Sequence, residues 1–194
     1  MTPRRKSSRH RSPKAVRRVR VPRGWPVSGR DDASSVRIIR DRPKSVDLDE
    51  FLSRPLFGFF ATASESGPRV SPVWFLWEDE AIWIIGNRKT DTFPGRVESD
   101  ARCAITFVDF DASVGLVHHV GMRGSATVEA WDKDRAKRIL RRYLGPNEED
   151  WDQERFVRSL DDPANLLVRF APESAVTRDQ SYRAPPAHTN SPGP

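Results

Sequence analysis

The chain has 194 residues, with 33 Lys and Arg against 27 Asp and Glu, and its single cysteine excludes both an intrachain disulfide and a cysteine-built zinc cluster. Residues 1–44 carry 15 basic and 3 acidic side chains, a net of +12, which leaves 18 basic and 24 acidic, a net of −6, for 45–194. That acidic remainder argues against a nucleic-acid groove in the folded part, and no apolar run reaches the roughly 18–20 residues of a membrane span.

Residues 1–44 show no apolar period, lack leucine and repeat proline. They are expected to be disordered, without the apolar stretch of a secretory signal. Any nucleic-acid or acidic-surface binding is expected only through this segment, by counterion release. The sparse cysteine usage suits a reducing cytoplasm, which is the expected location.

The folded domain is expected over 45–182. In "SVDLDEFLSRP", Leu48, Phe51 and Leu52 fall on one helical face. Asp47 and Glu50 form a capping-box pair, and Pro55 ends the helix. "LFGFFATA" (56–63) is apolar enough for a buried strand, and "SESGP" turns the chain. "RVSPVWFLW" (69–77) predicts a second strand, joined by "EDE" to "AIWIIG" (81–86). Pro72 cannot donate to a ladder, so it marks an edge, a bulge or a place where a ligand meets backbone.

"GNRKTDTFPGRV" (86–97) leads from that third strand into a short helix. Arg88, Lys89, Arg96 and the hydroxyls of Thr90 and Thr92 make it the best candidate anion site, with Pro94 tolerated in the first helical turn. "CAITFVDF" (103–110) and "GLVHHVGMRGSATVEAW" (115–131) predict two further strands, the second bent or bulged at Gly121 and Gly124. "DKDRAKRILRRYLG" is the clearest helix, capped by Asp132 and ended by Gly145-Pro146. A second helix is expected over "EEDWDQERFVRSL" with Asn147 as its cap. The last strand is "NLLVRFAP" (165–172), continued by "SAVTR". The tail from 183 to 194 is Pro-rich and expected to be disordered. Six strands joined mostly by short turns read as a mainly β fold with short flanking helices, an antiparallel barrel.

Few residues are candidates for catalysis. His118 and His119 are adjacent on a strand and must point to opposite faces, so they cannot chelate one metal together. No metal site is expected, and a structural role is the ordinary reading of each histidine. Cys103 reads as buried and inert. No Ser/His/Asp set is visible, and no catalytic residue is assigned. Arg69, Pro72 and the aromatics Trp74, Phe75 and Trp77 suit a planar ligand laid along a strand, although such aromatics also suit a core.

The order of these elements resembles the pyridoxamine 5′-phosphate oxidase-like family, the FMN-binding split β-barrels, over residues 47–182. The series is "GFFATASESGPRVSPVWFLWEDEAIWIIGN", "SDARCAITFVD", "HHVGMRGSATV", "RRYLG" and "VRFAPESAVTRDQSY". The resemblance implies a homodimer with flavin sites at the subunit interface. It implies that Arg69, Val70, Ser71, Pro72, Val73 and Trp74 lie along the isoalloxazine ring, largely through backbone. Ile85, Gly86 and Asn87 would continue that wall, the turn after them would hold the 5′-phosphate, and His119 would reach the flavin or the substrate side. Many members carry a lysine where this chain has Phe93; Arg88, Lys89, Arg96, Thr90 and Thr92 would stand in for it. The implied function is a flavin-dependent oxidoreductase using FMN on an unassigned substrate. The alternatives are a deazaflavin-dependent reductase on the same barrel and a non-catalytic cofactor-binding protein.

Overall fold

The computed structural model describes residues 36–40 and 46–184. Its strands are β1 (Arg37–Arg40), β2 (Gly58–Thr62), β3 (Arg69–Val73), β4 (Leu76–Glu78), β5 (Ala81–Asn87), β6 (Arg102–Asp111), β7 (Leu116–Glu129) and β8 (Asn165–Asp179). Three α-helices accompany them: α1 (Leu48–Ser53), α2 (Phe93–Ser99) and α3 (Lys133–Leu144). The caps form as the sequence predicts. The Asp47 carboxylate accepts from Glu50 N at the start of α1, and that of Asp132 accepts from Arg135 N at the start of α3.

The strands form one sheet in the order β3-β2-β6-β7-β8-β5-β4, with β1 on β8. β3 and β4 stand at opposite ends of that order, yet only Trp74 and Phe75 separate them in the chain. A chain advances at most about 3.6 Å per residue, so the sheet must curl until its ends meet. The result is a split barrel, antiparallel except for the parallel pairing of β1 with β8.

Eight strands replace the six expected, for two reasons. The strand expected over 69–77 breaks where Phe75 turns into the core, with no side-chain exposure. Its N–H leaves the ladder and donates to Tyr143 Oη at 3.1 Å. The other addition is β1, which falls inside the segment expected to be disordered; residues 1–35 and 185–194 lie outside the described residues. Pro72 sits on an edge strand, since β3 pairs only with β2. The expected bulge occurs at Arg123/Gly124. A Cβ on Gly124 would lie 2.1 Å from the Ala171 carbonyl oxygen, so only glycine permits this crossing of β7 over β8.

The barrel core is built from alternate residues of the strands, with Phe60, Phe75, Phe107, Phe170, Ile84 and Met122 all buried. α2 closes one end by inserting Phe93 and Val97. α3 covers the outer side of β5 and β8, where Ile139 meets Trp83 and Leu167. Instead of one helix after α3, the chain makes a 3-10 turn (Glu148–Asp150), a π-helical turn (Gln153–Val157) and a second 3-10 turn (Arg158–Asp161). The interruption is Trp151, which is extended and buried and donates its indole N–H to the Gly145 carbonyl. Asn147 makes no side-chain bond to the backbone as a cap; Asp152 caps the π turn.

Candidate functional site

The site begins where β3 ends. β3 and β5 are not paired, and a cavity of about 480 Å³ opens beside both. That size is within the range of small-molecule sites. Pro72, Val73 and Trp74 line it from the β3 side, and Ile85 from β5. Thr90, Asp91 and Phe93 line it from the turn before α2, and Arg155, Phe156 and Ser159 from the segment after α3. The aromatic wall is ordered by stacking. Trp74 lies 4.6 Å from Tyr143 at 4° and 5.7 Å from Phe156 at 23°.

Asn87 shapes the turn. Its amide donates to Asn165 Oδ1 at 2.9 Å, its backbone N–H donates to Asp91 Oδ2 at 2.8 Å, and its Oδ1 accepts from Lys89 N at 2.9 Å. Gly86 is needed just before it. A Cβ there would come within 3.0 Å of Leu166 Cδ1 and 3.2 Å of both Phe93 Cζ and Pro94 Cγ. Its bare backbone therefore lets the start of α2 seat against the sheet.

The three cations of this stretch have different surroundings. Arg88 forms a two-pronged pair with Glu98, at 2.7 and 3.2 Å, and holds the Glu98 carboxyl below its usual range. Lys89 Nζ lies 3.2 Å from Asp162 Oδ1. Arg96 instead donates to two hydroxyls, Thr62 Oγ1 at 2.7 Å and Thr92 Oγ1 at 2.6 Å. Among the described residues no carboxylate pairs with it. Thr62 is buried at the end of β2, in register with Arg69 of β3. Arg96 is thus anchored to β2 and to the start of its own helix, with its charge unneutralised by any carboxylate of the described residues. Phe93 points away from this charge into the core, edge-on to Phe60 at 6.1 Å.

Arg69 is exposed and donates to Ser66 Oγ at 2.9 Å; Val70 is exposed and Ser71 half-buried. His118 Nε2 lies 3.4 Å from Asp179 Oδ1. His119 is half-buried and in register with Val108 of β6. It shares the outer face of the sheet with Phe59, Val70, Val108 and Phe110, which are 43, 62, 41 and 60 % exposed. Cys103 is buried, and its thiol is pushed up to about 11 by burial and then by Asp100. No group of metal-ligating side chains occurs among the described residues.

The turn and β3 were singled out from the sequence; the wall formed by Arg155, Phe156, Ser159 and Asn165 was not. Arg155, Phe156 and Ser159 fell in the expected second helix, and Asn165 opened the last expected strand. The available signal was Arg155-Phe156, a cation beside an aromatic, which has no distinctive spacing.

The profile of the pyridoxamine 5′-phosphate oxidase family matches residues 47–175, well over half of the chain. The chain belongs to the pyridoxamine 5′-phosphate oxidase family. Solved structures with the same fold include a conserved hypothetical protein from Mycobacterium tuberculosis, 18% identical with a TM-score of 0.58, the match covering 71% of this chain and 88% of that one. An FAD-binding protein from Mesorhizobium loti is 14% identical with a TM-score of 0.54, covering 71% and 98%. An F420 reductase is 20% identical with a TM-score of 0.50, covering 66% and 94%. No curated protein matches the sequence. Among the described residues of this family member, no helix is long and apolar enough to cross a membrane.

Proposed function

We propose that this protein is a flavin-dependent oxidoreductase that holds FMN between two copies of the chain. The observation that carries the reading is a cavity with aromatic and apolar side chains beside Pro72–Trp74, together with an uncompensated cation, Arg96, on the helix whose Phe93 lines that cavity. The residues present fit the group: β3 and Ile85 offer an apolar wall to a ring, and Arg96 with Thr92 offers donors to a phosphate. Bound FMN supplies the redox chemistry. The chain's own part is to bind, orient and exclude water.

Arg96 is pre-oriented by Thr62, so little conformational freedom is lost when it meets an anion. Trp74, fixed between Tyr143 and Phe156, holds its edge of the cavity rigid. The outer face carrying Phe59, Val70, Val108, Phe110 and His119 is assigned to the second copy. Burying it would remove the largest exposed apolar area of the sheet from water.

A deazaflavin is the second reading. It is favoured by Phe93, which is a core residue here and leaves the phosphate site with one uncompensated arginine. Likeness to an F420 reductase supports it at the level of fold.

Purified full-length chain, mixed with FMN or with the deazaflavin cofactor and passed through a desalting column, tests both readings. Retention of FMN with a shifted flavin absorption band is expected, in a dimer by light scattering. Retention of the deazaflavin alone would select the second reading. Retention of neither would overturn both. A flavin that is retained but never oxidised or reduced by any donor would indicate a binding protein instead.

A further inference from the structure

Six arginines lie between residues 133 and 161, and five have their guanidinium groups engaged. Arg135 and Arg138 pair with Glu78, Arg141 with Glu148 and Arg158 with Glu154. Arg142 donates to the carbonyls of Leu52 and Arg54. Arg155 differs. Its backbone N–H is capped by Asp152, while its guanidinium lies 5.1 Å from the centroid of the Phe156 ring. Among the described residues no carboxylate or carbonyl accepts from that guanidinium. Among the described residues it is the one cation that lines the cavity.

Arg155 is exposed, and its guanidinium lies over the ring of Phe156, which is itself stacked on Trp74. A planar guanidinium fork matches a carboxylate in two-point geometry. Asp91 lines the same cavity from the turn, with Oδ2 tied to the Asn87 N–H. Its charge repels an acid group from that side and favours the side of Arg155. The remaining lining sets aromatic and apolar side chains such as Trp74, Phe156 and Trp131 beside the polar Thr90, Ser159 and Asn165, and the aromatic part suits a flat ring.

We propose that Arg155 is a specificity residue, and that the cavity takes a planar aromatic or conjugated carboxylic acid whose carboxylate meets the Arg155 guanidinium. The assignment rests on the site proposed above, with the flavin ring along β3 and Ile85 and the acid on the Arg155 side of the same cavity, but its test does not require flavin. Full-length wild-type protein and the Arg155→Gln and Arg155→Lys variants are titrated with 1-naphthoate and with its neutral analogue 1-naphthamide by calorimetry. Wild type should bind the acid about tenfold or more tightly than the amide, the scale of a charge-assisted hydrogen bond. Arg155→Gln should bind both alike, at the affinity of the amide, and Arg155→Lys should recover part of the preference. An acid preference that survives in Arg155→Gln, or is missing from wild type, would overturn the proposal. So would failure of wild type to bind either compound. In parallel, FMN and riboflavin are titrated into the same proteins. A loss of the FMN preference in Arg155→Gln would place Arg155 on the cofactor phosphate and also refute the assignment. Should no flavin bind at all, the proposed oxidoreductase fails while the naphthoate comparison still decides this inference.

Discussion

The ring of Trp74 lies flat on that of Tyr143, with centroids 4.6 Å apart and planes 4° from parallel. The contact joins the point where β3 gives way to β4 with the last turn of α3. Tyr143 Oη completes the junction by donating to the Leu56 carbonyl at 2.8 Å and accepting from Phe75 N at 3.1 Å. One side chain thus orders the break in the strand and one wall of the cavity.

Replacing Tyr143 by Phe should keep the stack and remove both hydrogen bonds. The Phe75 N–H and Leu56 carbonyl would lose their partner in a part-buried place, at a cost of about 1–3 kcal/mol. Urea denaturation of the variant should show a lower midpoint with an unchanged slope. Tyr143→Ala, which also removes the ring, should cost about 3–5 kcal/mol.

Gly86 answers a packing demand, since a methyl group there meets Leu166, Phe93 and Pro94 at 3.0–3.2 Å. Gly86→Ala should destabilise by about 1–3 kcal/mol, as overpacking does. It should also weaken any anion bound at Arg96, because α2 would be displaced. Gly124→Ala meets backbone rather than side chain, at 2.1 Å, and should be more damaging. Comparing the two melting temperatures checks that ranking.

Among the described residues no carboxylate shares the charge of Arg96, unlike that of Arg88 and Lys89. Arg96→Gln should lower FMN affinity about tenfold or more and leave riboflavin affinity unchanged. Arg88→Gln and Lys89→Gln should change FMN affinity by no more than about threefold, since both cations sit in exposed pairs of small net worth. Equal losses in all three variants would mean that the phosphate is met by the whole turn.

Burial raises the Cys103 thiol to about 11, so it stays neutral well above physiological pH. Only the thiolate is an efficient nucleophile. Alkylation of native protein by iodoacetamide at pH 8 should therefore run on the order of 100-fold slower than in guanidinium, where the thiol has its ordinary value. The native rate should rise with pH toward 11. Fast native labelling would show that the sheet opens around Cys103 of β6.

The three α-helices, the bulge at Gly124 and the positions of the six expected strands were legible because each rests on local chemistry. α3 announced itself by a repeated apolar stripe between a capping aspartate and a terminating glycine, and β2, β5 and β6 by apolar runs between turns. The anion-site stretch was legible too, as a cluster of charges after a strand. Which of its charges stays uncompensated was not, because Glu98 and Asp162 reach Arg88 and Lys89 across 10 and 73 residues of sequence.

The sequence by itself therefore determined most of the elements and their order, since capping, periodicity and turn chemistry act over a few residues. The tertiary structure alone decided where the strand at 69–77 breaks, because that break depends on Tyr143, 68 residues from Phe75. It likewise decided that Phe93 fills the barrel and that Arg155 faces a cavity. Burial and charge compensation are set by partners distant in the chain, and no local pattern encodes which of them will arrive.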